Sequence, residues 1–126
     1  MINVALKGID VSSYQGSVDW AAVKADGVDF AILRDGYGNE HPETQTDTTF
    51  AANYDSATAN GLKVGVYHVS YATTMAEAQQ EAQFCLGILN GRKLDYPVYL
   101  DVEQPFHSTM QASQIDSVSS TVHLFR

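Results

Sequence analysis

Asp101-Val-Glu103 sets two carboxylates directly behind an apolar run, Tyr96-Pro-Val-Tyr-Leu100. That run is short, β-branched and aromatic, and it reads as a buried strand. Side chains alternate along a strand, so Asp101 and Glu103 share one face, with α-carbons ~7 Å apart. Two carboxyls this close repel each other when both are charged, which favours one protonated acid beside one carboxylate. A pair of that kind is equipped for acid/base hydrolysis. The plainer reading, that the two acids only mark where a strand meets solvent, is the usual fate of an isolated D-x-E pattern. The remainder of the chain argues against it.

Asp10 lies between Ile9 and Val11, in a strand expected to be buried. A buried carboxylate needs a partner or a purpose. Two assignments are open: a structural salt bridge to Arg34, or convergence with Asp101 and Glu103 on one pocket. Three converging carboxyls suit two chemistries. One is glycoside hydrolysis through an acid and a stabilising carboxylate. The other is a divalent metal site, with His68 as a ligand for a softer ion. Tyr14, Tyr37, Tyr67, Tyr71 and Tyr99 accompany the acids. Aromatic planes are platforms for sugar rings and are not needed by a metal, so they favour the sugar. Tyr67 and Tyr99 are expected to point away from the pocket. His68 is either a site residue or a hydrogen-bonded core residue. His41, His107 and His123 show no metal-ligand spacing. No phosphate-cradling loop, dinucleotide fingerprint or nucleophile elbow is present.

The elements that must position these groups alternate. Strands are expected within Asn3–Val11, clearest at Gly8–Val11, and over Val28–Leu33, Lys63–Val69 and Tyr96–Leu100. Between them run a helix over Asp19–Ala25 closed by Gly27, one capped by Asp47 or Thr48 and ended by Gly61, and a longer one capped by Thr74 and ended by Gly91. In the last, Ala78, Ala82, Cys85 and Leu89 recur on one face. A polar loop spans Asp35 to about Thr46, and Ile115, Val118, Val122 and Leu124 suggest a terminal helix. Strand–helix alternation implies α/β architecture with parallel strands and right-handed crossovers. Chemistry in such folds sits at the strands' C-terminal ends. All four strands deliver polar groups there: Asp10 and Ser12; Arg34, Asp35 and Tyr37; His68, Ser70 and Tyr71; Asp101 and Glu103.

The 126 residues have the length of one domain and carry a net charge of −8. That charge argues against nucleic acid and gives no long-range attraction to anionic polymers or membranes. No apolar run is long enough to span a bilayer, and no signal peptide is visible. The lone Cys85 reads as a buried thiol.

Four motifs now combine. Gly8-Ile-Asp-Val-Ser-Ser-Tyr-Gln-Gly16 with Asp19-Trp20 resembles the opening of the glycoside hydrolase family 25 lysozymes, the Chalaropsis-type N-acetylmuramidases. Val28–Arg34 with Gly36-Tyr-Gly38 is similar to their second strand, Gly61–His68 with Ser70-Tyr71 to their third, and Asp95–Glu103 to their fourth. The resemblance covers about residues 3 to 104. It implies a TIM-like (β/α) barrel and cleavage of the β-1,4 bond between N-acetylmuramic acid and N-acetylglucosamine in peptidoglycan, with no cofactor and no catalytic metal. It implies Glu103 as general acid/base and Asp101 as the group that orients a substrate N-acetyl acting as internal nucleophile. Asp10 completes the carboxylate cluster, and Tyr37, His68, Tyr71 and Arg34 match substrate-binding positions. The implied partner is the peptidoglycan glycan strand. The implied place of action is the cell wall, reached from outside or as a phage endolysin released at lysis.

The family's barrel is eight-stranded. This sequence supplies about four strands with flanking helices, a partial barrel. Residues 1–104 are expected to form the N-terminal part of the catalytic domain, and 105–126 its terminal helix. A half barrel leaves sheet edges open. Truncation of the chain, pairing of two copies through the open edge, or cover by the terminal helix would each account for it. A catalytically impaired glycan-binding or self-associating half barrel is the alternative to an active muramidase.

Overall fold

Four apolar segments pair side by side in one parallel sheet, in chain order: β1 (Gly8–Val11), β2 (Phe30–Tyr37), β3 (Lys63–Ser70) and β4 (Val98–Val102). The computed structural model describes residues 5–102. Glu103, the start of the first expected strand at Asn3, the expected terminal helix, His107 and His123 lie outside those residues. Spatial order equal to chain order is what successive β/α units give when laid side by side around a barrel. The expected four-stranded parallel section is the one observed.

The crossovers carry α1 (Trp20–Ala25), α2 (Pro42–Gln45), α3 (Phe50–Ala59) and α4 (Met75–Leu89). Asp19 caps α1 by accepting from the Ala22 N–H at 3.1 Å, and Thr74 caps α4 by accepting from the Glu77 N–H at 3.1 Å. α3 begins later than expected, because Asp47 does not cap it. Its Oδ1 instead accepts from the Thr49 N–H (2.8 Å) and hydroxyl (2.6 Å), fixing the turn that leads into the helix. α2 breaks the loop that was expected to be irregular.

One sheet face is packed by the helices. Val11, Ala31, Leu33, Val64, Val66 and Val98 meet Trp20, Phe50, Ala57, Ala82, Cys85 and Leu89 in a single core. Burying each large aliphatic side chain contributes ~1.5–3 kcal/mol. The other face carries Asp10, Ile32, Tyr67, Tyr99 and Asp101, which line a cavity.

β2 departs from regular alternation. The register runs Arg34↔Tyr67 and then Gly36↔His68, leaving Asp35 as an inserted residue. Arg34 therefore faces the cavity, Asp35 turns into the helix layer, and Tyr37, opposite Val69, returns to the cavity side. Beyond the bulge, Gly38 holds φ at 55°. A Cβ there would stand 2.7 Å from Gln45 Nε2 and 2.9 Å from Tyr71 Cδ2, so the turn requires glycine on two counts.

Candidate active site

The register explains which side chains meet. Tyr67 pairs with Tyr99, and Val69 with Asp101, so the cavity face of β4 presents Tyr99 and Asp101 beside Tyr67. Asp10, opposite Ile32 on β1, presents its carboxylate from the other edge of the sheet. Asp10, Tyr67, Tyr99 and Asp101 line one cavity of about 610 Å³. A second cavity, of about 730 Å³, shares Asp10 and Tyr67 and adds Ser12, Tyr14, Arg34, Tyr37 and Tyr71. Two acids from opposite edge strands thus open onto one continuous mouth.

Tyr67 stands between them. Burial raises its phenol above the usual value; the Arg34 charge pulls the other way, and Asp10 and Asp101 add to the rise. The hydroxyl therefore remains a proton-bearing donor at neutral pH. Sequence reasoning turned Tyr67 and Tyr99 away from the pocket, and the register corrects this. The usable signal was parity: Tyr99 and Asp101 are two apart on one strand and must share a face.

Asp10 was expected to be buried. It is exposed, because β1 is an edge strand whose cavity face is uncovered among the described residues. Nor does it pair with Arg34. The Arg34 Nε donates to Asp47 Oδ2 at 2.8 Å, with the Asp47 side chain fully buried, and Nη2 donates to the Ser13 hydroxyl at 2.9 Å. Burial alone would raise the Asp47 carboxyl; hydrogen bonds from Thr49, Ser13 and Arg34 outweigh it and hold the group below its usual value.

His68 lies on the helix side of β3 and has no exposed surface. Of the two readings open for it, site residue or hydrogen-bonded core residue, its surroundings in this structure are those of the second. Its Nδ1 is 2.8 Å from Asp35 Oδ1 and its Nε2 is 2.9 Å from the Gly38 carbonyl oxygen. A carbonyl only accepts, so Nε2 carries a proton; with Asp35 as a carboxylate, Nδ1 carries one too. Burial works against the resulting imidazolium, but the Asp35 hydrogen bond and charge outweigh it, and the His68 pKa is raised. Nearby, the Ser70 hydroxyl and the Tyr71 N–H donate to Glu81 at 2.7 and 2.8 Å, and burial raises that carboxyl. Ser70 and His68 thus tie β3 to its neighbours rather than to the cavity.

Asp35, His68 and Cys85 are the one group among the described residues whose ligand atoms, all within 4.8 Å of one another, could share a metal ion. Both His68 nitrogens donate, and burial, reinforced by the Asp35 charge, pushes the Cys85 thiol far up.

Residues 9–124 match the sequence profile of Glycosyl hydrolases family 25. The chain belongs to glycosyl hydrolase family 25. Among its family 25 relatives, the autolytic lysozyme of Clostridium acetobutylicum is 37% identical over 120 residues, covering 95% of this chain and 33% of that protein. Lysozyme M1 of Streptomyces globisporus is 34% identical over 79 residues, 63% of this chain and 26% of that protein. The bacterial lysozyme of Streptomyces coelicolor superposes with a TM-score of 0.79 at 26% identity, covering 98% of this chain and 58% of that structure. The modular autolysin LytC of Streptococcus pneumoniae, in complex with a synthetic peptidoglycan ligand, superposes with a TM-score of 0.74 at 26% identity, covering 94% of this chain and 30% of that structure. The chain therefore spans about a third or less of the curated family 25 relatives named here.

Proposed function

We propose that this chain carries the catalytic wall of a peptidoglycan hydrolase of the lysozyme type. It cleaves the β-1,4 bond between N-acetylmuramic acid and N-acetylglucosamine by carboxylate acid/base chemistry. One observation carries the reading: Asp10 and Asp101, from opposite edges of the sheet, line one cavity with the Tyr67 phenol between them. Asp101 orients and stabilises the substrate N-acetyl group as it attacks the anomeric carbon. Glu103, two residues further along the sequence, protonates the departing glycosidic oxygen and later activates water. Asp10 sets the charge of the cluster. Tyr99, 46% exposed, offers a sugar-stacking plane, and Tyr37, Tyr71 and Arg34 extend the binding surface.

The partner is the glycan strand of the cell wall. Turbidity of a peptidoglycan suspension falls with the wild-type chain and stays constant with Glu103→Gln or Asp101→Asn. A constant reading with the wild type at high protein concentration ends the hydrolase assignment for this chain.

The second reading is a glycan-binding half barrel without turnover. It is favoured by β4, which pairs only with β3 among the described residues and exposes Tyr99 and Val102. Catalysis depends on a preorganised site that excludes water, and among the described residues the β4 side of the cavity stands open. Glycan retention without release of reducing ends selects this reading.

A further inference from the structure

Resting on the glycan-hydrolase reading, we propose that Arg34 is a carboxylate-recognition residue. The free donors of its guanidinium bind a carboxylate carried by the glycan strand, and the chain therefore binds a glycan bearing that charge more tightly than the same glycan with the charge removed.

Arg34 is the one cationic side chain lining either cavity among the described residues. Its guanidinium is held in place from several sides. Nε donates to Asp47 and Nη2 to Ser13, while the rings of Tyr14 and Tyr37 lie 5.4 and 5.5 Å from the guanidinium carbon. A guanidinium has five N–H donors. Two are used, so both Nη1 donors and one on Nη2 have no partner among the described residues. The remaining pair of donors across Nη1 and Nη2 forms a fork that matches a carboxylate. Asp47 does not quench the charge outright, because its two oxygens are shared among Arg34, the Ser13 N–H, and the Thr49 N–H and hydroxyl.

Placement gives this fork its role. Asp10 sits opposite Ile32, and Arg34 is two residues further along β2 on the same face. Their α-carbons are ~8 Å apart from strand spacing and rise. The mouth is therefore polarised, acidic at Asp10 and Asp101 and basic at Arg34. A chain with a net charge of −8 repels an anionic polymer at long range, so a local cation is what admits one. In peptidoglycan a carboxylate comes from the lactyl ether of muramic acid or from the stem peptide; both present the same group to the fork.

The test is calorimetric binding of three soluble glycans to the full chain. The first is peptide-free with free lactyl carboxylates. The second carries stem peptides, so its carboxylates lie only on the peptide. The third is peptide-free with its lactyl carboxylates converted to neutral amides. The wild type binds the first or the second at least about tenfold more tightly than the third, as expected for a charge-assisted hydrogen bond. Which of the two binds more tightly identifies the source. Arg34→Gln reduces that glycan to the affinity of the neutral one, and Arg34→Lys keeps part of the preference. The neutral arm, run on unaltered protein, keeps the test decisive if Arg34→Gln does not fold. Equal wild-type affinity for charged and neutral glycan overturns the proposal, even where turnover is seen. Carboxylate-selective binding without turnover supports it while removing the hydrolase reading. Binding to none of the glycans overturns both.

Discussion

His68 Nδ1 lies 2.8 Å from Asp35 Oδ1, and neither side chain has any exposed surface. This ion pair joins β3 to the inserted residue of β2, and through Nε2 it also holds the carbonyl of Gly38. Removing one partner leaves the other charge buried and uncompensated. His68→Ala is therefore expected to cost ~3–5 kcal/mol of stability, and Asp35→Ala a similar amount. The double variant loses less than the sum of the two. Urea unfolding of all four proteins checks this, and additivity would show that the pair is not coupled.

The pH dependence of stability follows from three buried groups. The folded pKa of His68 is raised above 6.5, so its contribution is complete below 6.5 and is lost as pH rises through the folded value. Glu81 is raised above 4.5, which likewise favours the fold below 4.5 and weakens it as pH rises through its folded value. Asp47 is lowered below 3.8, so its contribution is present above 3.8 and disappears as pH falls through its folded value. Stability thus declines on an acid limb set by Asp47 and on a rising-pH limb set by Glu81 and His68. Glu81→Gln removes its own share of the second limb, so the decline in stability above pH 4.5 is expected to become shallower. Thermal unfolding across this range tests it; an unchanged profile for Glu81→Gln would remove Glu81 from the account.

Tyr67→Phe deletes one hydroxyl from the cavity and leaves the ring in place. Its phenol lines the cavity with Asp10 and Asp101 and lies within the field of Arg34. Turnover is expected to fall by about a hundredfold, as for loss of one preorganised donor, with kcat carrying the loss. Circular dichroism should be superimposable on that of the wild type. A change confined to KM would demote Tyr67 to a simple binding contact.

Asp10→Asn and Asp101→Asn keep the size and shape of the cavity wall while removing charge. Each is expected to lower the release of reducing ends by about 10²-fold or more while glycan binding persists. Full activity in either variant would remove that residue from the catalytic set.

Much of this was legible beforehand because apolar periodicity and capping residues are local signals. Thr74, Asp19 and the face shared by Ala78, Ala82, Cys85 and Leu89 could be read directly from spacing, and the four strands followed from their apolar runs. What could not be read was which side of the sheet each polar residue occupied. His68 and Ser70 sit at a strand end, where polarity suggests a mouth, yet both are consumed by partners on β2, just after it, or on α4: Asp35, Gly38 and Glu81. That misplacement carried Tyr67 to the wrong side, because alternate residues were assigned relative to His68. Asp10 was misjudged for a different reason. Burial of a strand depends on what covers it, and that is a tertiary property absent from the nine residues around it.

The insertion at Asp35 makes the reading frame of β2 a functional property in its own right. Arg34 and Tyr37 reach the same cavity although they are three positions apart, a spacing that regular pleating forbids. Loss of the single codon for Asp35 would preserve every cavity-lining residue in name. It would also leave Arg34 and Tyr37 on the cavity face, now two positions apart in regular alternation, yet take the Asp35 carboxylate away from the buried His68 ring. For this strand, a one-residue deletion is a more damaging event than most substitutions, and alignments that close the gap silently would hide it.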